Sequence, residues 1–263
     1  MSASITDVWD NYVTNPALAS RLFHKLPSLY FYPRMLSTVF RASRKAKRDR
    51  FSDQEWVKSC TEIVSHLERV GCRFEIRGKQ NFLQLREPCV FVANHMSTLE
   101  TFILGAIIGA HRQVTFVVKE SLVRYPVFRH IMISRDPVVV SRKNPREDFK
   151  VVMEEGQKRL QQGVSVVVFP QSERSKILDT QQFNSIGVKL AKKAGLPIVP
   201  LALKTDAWEN GRIIKDFGKI HPKRQIYFEF APVMRVQGGG RAEHQEIVRF
   251  IADRLERWQE YQG

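Results

Sequence analysis

Residues 88–110 read PCVFVANHMSTLETFILGAIIGA. A short apolar run ends at Asn94 and His95, and a second, longer run begins after Ser97. The first has the length of a buried strand, and the second, from about Thr98 to Ala110, the length of a helix. A strand that hands over to a helix in this way is the repeating step of a parallel sheet. His95 then falls at the carboxyl edge of a parallel strand, where open α/β sheets hold their ligands.

The same alternation continues on both sides. Upstream, SDQEWVKSCTEIVSHLERVG offers Ser52 and Glu55 as a capping box, an apolar face of Trp56, Cys60, Ile63, Leu67 and Val70, and Gly71 as the stop. Strand-like runs CRFEIRG, VTFVVK, PVVVSR, VSVVVFP and PIVPLAL are interleaved with helices expected over 144–162 and 184–194. RQIYFEFAPVM reads as a late strand. The closing helix sets Ile247, Ile251, Leu255 and Trp258 on one face. The predicted class is α/β, a layered, mostly parallel sheet flanked by helices. With 263 residues, 43% of them hydrophobic, the chain suffices for one large α/β domain, expected over residues 51–263, with an appendage.

The first fifty residues differ in character. LASRLFHKLPSLYFYPRMLSTVFRASRKAKRDR mixes aromatic and aliphatic residues with nine Lys or Arg. Pro27 and Pro33 are expected to break it into short helical pieces. Leu22, Phe23 and Leu26, then Leu36, Val39 and Phe40, would form apolar stripes flanked by cations, as in segments that lie in a membrane interface. Residues 1–50 therefore read as an amphipathic, basic appendage and a candidate anchor to an anionic membrane surface. A helical hairpin packed on the main domain is the alternative.

A formal charge of +15, from 42 Lys and Arg against 27 Asp and Glu, calls for anionic partners. Nucleic acid is not expected among them, because neither a glycine-aromatic RNA-binding signature nor zinc-finger spacing occurs. The three cysteines, Cys60, Cys72 and Cys89, lack CxxC spacing, so neither a disulfide framework nor a zinc site is expected. A reducing compartment is the expectation. MSASITDVWDNYV lacks the pattern of a signal peptide, and the uncharged stretches on either side of Glu100 fall short of a bilayer span. The remaining histidines are scattered, and no metal or cofactor is expected. The serine-nucleophile G-x-S-x-G and the phosphate-cradling GxxxxGK[ST] are both missing from the sequence.

Within the opening stretch, Glu100 sits five positions after His95. A carboxylate on the first helical turn can fold back, accept a hydrogen bond from one ring nitrogen and leave the other as a base. Ser97 to Glu100 is also a capping box, in which the carboxylate would instead satisfy a backbone N–H. Spacing alone leaves both readings open.

Five elements in order, ANHMSTLE, VKESLVRYPVF, VVVSRK, VVVFPQSERSK and LPIVPLAL, resemble the glycerophospholipid acyltransferase family of lysophospholipid and 1-acylglycerol-3-phosphate acyltransferases. The likeness runs from about Phe74 to Lys204. It implies that His95 is a general base, that Glu100 orients it, and that an acceptor hydroxyl attacks the thioester of an acyl-CoA or acyl carrier protein. It further implies that Lys119, Arg142 and Arg174 bind a phosphate on a lyso-lipid acceptor, with Gln171, Ser172 and Glu173 beside them. The expected location is the cytoplasmic face of a membrane, peripherally attached. An inactive lipid-binding or adaptor protein on the same fold is the alternative.

Two departures qualify the likeness. Glu100 stands where the family has Asp, which lengthens the reach by about 1.5 Å. In FPQSERS, Gln171, Ser172 and Glu173 replace Glu-Gly-Thr. Gln171 keeps an acceptor and loses the charge. Glu173 would weaken Arg174 if it pointed into the site, or else face solvent. These changes bear on the choice of acceptor.

Overall fold

The computed structural model describes residues 5–6, 11–20, 23–171 and 173–260. A two-residue strand, Tyr12–Val13 (β1), and two 3-10 turns precede a twenty-residue helix, Pro27–Ala46 (α1). Pro27 occupies the first turn of α1, where a missing N–H is harmless, whereas Pro33 lies inside it. The expected break at Pro33 is therefore corrected to one continuous helix. Its inner face buries Tyr30, Phe31, Met35, Thr38, Val39 and Ala42. At about 1.5–3 kcal/mol for each large apolar side chain, that burial outweighs the roughly 3 kcal/mol that an internal proline costs.

Phe31 meets Trp208 edge to face, with centroids 4.9 Å apart. The 1–50 segment is thus joined through α1 to the same apolar core as the sheet. The expected stripe changes accordingly, since Val39 is buried while Leu26, Leu29 and Phe40 are exposed. Leu22 lies outside the described residues.

Helix α2 spans Asp53–Arg69, and the Ser52 side chain accepts from the Glu55 N–H at 3.3 Å. The Glu55 carboxylate pairs with Lys45 of α1, so only half of the anticipated capping box forms. Phe74–Arg77 (β2), Gln80–Leu83 (α3), Val90–Ala93 (β3), Leu99–Ile107 (α4) and Val114–Lys119 (β4) follow. Two short helices, Glu120–Arg124 (α5) and Arg129–Ile133 (α6), lead to Val138–Val140 (β5). The remaining elements are Pro145–Gln161 (α7), Ser165–Val168 (β6), Ile186–Ala194 (α8), Ile198–Lys204 (β7), Ile226–Phe230 (β8) and Arg241–Glu260 (α9).

The strands form one sheet in the order β1-β2-β8-β7-β3-β6-β4-β5. Pairing is antiparallel at β1–β2 and β7–β8 and parallel elsewhere. Central strands β3, β6 and β7 are buried along their whole length, which explains their uninterrupted apolar sequences. The expected layered, mostly parallel α/β fold is what forms.

Close packing of α8 on β3 depends on Gly187, where an added Cβ would lie 2.6 Å from Val92 Cγ2. Gly187→Ala is expected to cost about 1–3 kcal/mol through overpacking, read as a lower urea midpoint with an unchanged slope. The parallel register has a second consequence, because the carboxyl ends of β3, β4, β5, β6 and β7 share one edge. Asn94, Lys119, Ser141, Phe169 and Thr205 lie along it.

Candidate active site

Glu100 is fully buried and uses its two oxygens for different tasks. Oε2 meets His95 Nδ1 at 2.5 Å. Oε1 accepts from the Met96 N–H at 2.7 Å, the Ser97 N–H at 2.6 Å and the Thr205 hydroxyl at 2.6 Å. Both hydrogen-bond geometries left open by spacing are present, one per oxygen: the carboxylate accepts from the backbone at the start of α4 and also meets the imidazole. Thr205 is oriented in turn by Ser97, whose hydroxyl donates to it at 3.0 Å.

With the carboxylate accepting on every side, the proton between the partners belongs to Nδ1. Nε2 is the ring nitrogen turned away from Glu100, on a side chain that is 13% exposed and lines a cleft.

The third block holds His95 from the other side. Gln171 Oε1 accepts from the His95 N–H at 2.7 Å, and the His95 carbonyl accepts from the Ser175 N–H at 2.9 Å. Gln171 is buried behind the cleft, where its side chain serves the His95 backbone. Only its acceptor oxygen is needed here, and a carboxamide provides that as well as a carboxylate does. Phe169 stacks on the imidazole, 4.4 Å between centroids and 20° between planes. Asn94 extends the sheet by its side chain, donating to Leu203 O at 2.8 Å and accepting from Leu203 N at 2.9 Å.

The cleft has a volume of about 450 Å³, and Lys119, Arg142 and Arg174 line it together with His95. Arg142 adopts a left-handed backbone, φ 57°, which costs a non-glycine residue about 1–2 kcal/mol. Asp148 of α7 holds it there, accepting from the N–H groups of Ser141 at 2.8 Å and Arg142 at 2.7 Å. Crowding by the cleft walls lowers the Arg142 pKa from its ordinary value, against the pull of the Glu173 and Asp148 carboxylates, although much of the residue remains exposed. It stays charged at neutral pH.

Arg174 pairs with Asp216 at 2.7 Å, and the same Asp216 oxygen accepts from the Thr98 hydroxyl at 2.7 Å. Glu173 is largely exposed yet lines the cleft, where it pairs with Lys215 at 3.1 Å; that ammonium, first of the surrounding cations, holds its carboxyl below the usual range. Arg174 is thus opposed by Asp216 and not by its sequence neighbour. Ser172 lies outside the described residues.

Beside the polar cleft runs an apolar cavity of about 100 Å³, walled by Trp56, Phe102, Phe128, Ile131 and Met132 among others. Thr101, Phe116, Val118 and Leu122 border both spaces. Thr205, Asp216 and Lys215 were missed by sequence reasoning. Thr205 follows the fourth block directly, a signal of position only, while residues 209–219 show no periodic pattern at all. Cys60, Cys72 and Cys89 are buried, with thiols pushed up to about 12, 12 and 11, and they take no part in the site. Among the described residues no cluster of His, Cys, Asp or Glu has the makings of a metal site.

A family model described as acyltransferase matches residues 73–204. The 1-acyl-sn-glycerol-3-phosphate acyltransferase of Pseudomonas aeruginosa is 32% identical over 158 residues, 59% of this chain and 58% of that one. A probable 1-acyl-sn-glycerol-3-phosphate acyltransferase of Mycoplasma pneumoniae is 34% identical over 121 residues, 45% of each chain. The chain thus spans about half the length of these relatives. In fold it is similar to the crystal structure of the 1-acyl-sn-glycerophosphate acyltransferase PlsC of Thermotoga maritima. The TM-score is 0.65 and the identity 16%, over 91% of this chain and 97% of that one.

Proposed function

The chain belongs to the acyltransferase family, and from that premise we propose that it moves an acyl group onto the hydroxyl of a lyso-lipid of the 1-acyl-sn-glycerol-3-phosphate type. The observation that carries this reading is the His95–Glu100 pair at 2.5 Å, its second ring nitrogen left for a cleft lined by Lys119, Arg142 and Arg174. His95 Nε2 takes the proton of the acceptor hydroxyl as its oxygen attacks the thioester carbon of an acyl-CoA or acyl carrier protein. The C–O bond forms, the C–S bond breaks, and the imidazolium returns its proton to the departing thiolate. Glu100 stabilises the imidazolium and fixes the tautomer. The cations hold the acceptor phosphate, and the adjoining apolar cavity takes hydrocarbon.

The names of the relatives support this acceptor. An inactive adaptor is disfavoured by the third block, where Gln171 still holds the His95 backbone despite the change from Glu.

No described helix is long and apolar enough to cross a membrane. On α1, Leu29, Phe40, Arg34, Arg41 and Arg44 remain on the outer face, which suits attachment to an anionic, cytoplasmic membrane surface. The activity is tested by incubating purified protein with labelled acyl-CoA, or acylated carrier protein, and a panel of lyso-lipids. The expected product is the diacyl lipid from the phosphate-headgroup acceptor, and absence of product from every lyso-lipid would overturn the reading.

Arg174→Ala is expected to raise KM for that acceptor about 10- to 100-fold, the equivalent of one charge-assisted hydrogen bond. The effect should vanish with an acceptor that lacks the phosphate. An equal loss on both acceptors would remove Arg174 from phosphate recognition.

A further inference from the structure

We infer that the two loops at the cleft mouth, residues 173–178 and 209–219, form a second contact surface for an anionic bilayer, separate from α1. Ile213 is 97% exposed, Ile177 77% and Ile214 48%. Three isoleucines so placed are not accounted for by anything the site does. The loops are tied together, Lys176 Nζ donating to Glu209 at 3.0 Å and Lys215 Nζ to Glu173 at 3.1 Å.

Backbone hydrogen bonds close the longer loop into a turn, from Glu209 N to Lys219 O at 3.0 Å and from Gly211 N to Lys215 O at 3.1 Å. Gly218 permits this approach, because a Cβ there would fall 1.8 Å from Glu209 O. Ile213 and Ile214 are therefore held out at the tip of a built turn. Exposed Arg212, Lys215 and Lys219 flank them.

An apolar tip with a cationic collar matches the order of layers in an anionic membrane, hydrocarbon beneath charged headgroups. The same turn carries Asp216, which holds both Arg174 and Thr98. Seating the tip in the bilayer would thus bring the cleft mouth against the phase in which lyso-lipids reside. This inference rests on the proposal that the protein works at a membrane.

The test uses the full chain with Ile213→Cys carrying a nitrobenzoxadiazole probe; the three native thiols are buried, so labelling is selective. Wild-type sedimentation with phosphatidylcholine–phosphatidylglycerol vesicles tests the membrane reading by itself. Probe emission at 213 is expected to rise and shift to the blue on those vesicles, with no change for a probe at Glu154→Cys on α7. Unchanged emission at 213 while the protein sediments would overturn the loop surface and leave the membrane reading standing. A response to acidic carrier protein in place of vesicles would also overturn it, and failure to sediment would remove both. In unlabelled protein, the double change Ile213→Ser, Ile214→Ser is expected to weaken vesicle partition about tenfold with an unaltered circular-dichroism melt. Undiminished partition would overturn the inference.

Discussion

His95→Ala is expected to lower kcat for acyl transfer by about 10²–10⁴, the usual contribution of a positioned general base. Vesicle sedimentation should be little altered, and the thermal melt should fall because the buried Glu100 Oε2 loses its partner. The ring stacks on Phe169 and is mostly buried, but its backbone is held independently by Gln171 and by Ser175. Removing the imidazole takes away the proposed proton acceptor without releasing the loop that presents it. A steady-state assay with saturating acyl-CoA separates the possibilities, because loss confined to KM would make the ring a binding element. A kcat within twofold of wild type would remove His95 from the chemistry.

Much of this arrangement was legible from residues alone, for a physical reason. Strands β3, β6 and β7 are buried on both faces, so their apolar runs are unbroken, and α2 writes its buried face at helical spacing from Trp56 to Leu67. His95 and Glu100 are close enough in sequence for one strand-to-helix turn to bring them together. What escaped notice is contributed across the fold. Thr205 reaches Glu100 over 105 positions and Asp216 reaches Arg174 over 42, and neither lies in a segment with a period to read.

Helix α1 runs through Pro33, against its local sequence, for a different reason. Local propensity there is overridden by tertiary burial of Phe31 and Met35, which no count over the segment itself reveals. Gln171 shows the opposite limit. As an acceptor without charge it serves the backbone N–H of His95, a partner 76 positions away that no local pattern points to.

The division of labour between the oxygens of Glu100 makes Glu100→Gln the sharpest perturbation of the site. A carboxamide must present an NH₂ where one oxygen now accepts. Three donors, from Met96, Ser97 and Thr205, converge on Oε1, against one on Oε2. The amide oxygen will therefore take the Oε1 position and the NH₂ will face His95 Nδ1. Nδ1 then becomes the acceptor, the ring proton moves to Nε2, and the lone pair that should receive the substrate proton is lost. The expected fall in kcat is about 10³–10⁴, as for other bases forced into the wrong tautomer. Because the donors that close the start of α4 keep their acceptor, stability should drop by no more than about 1–2 kcal/mol. Nitrogen-15 spectra of the imidazole should report the exchange of protonated nitrogen directly. If Glu100 served only to close the helix, the variant would keep its tautomer and its turnover and show a lowered melt instead. If it only held the ring, Glu100→Ala would leave the melt intact; with both roles, Glu100→Ala should cost several kcal/mol by stranding the Met96 and Ser97 N–H groups in a buried site.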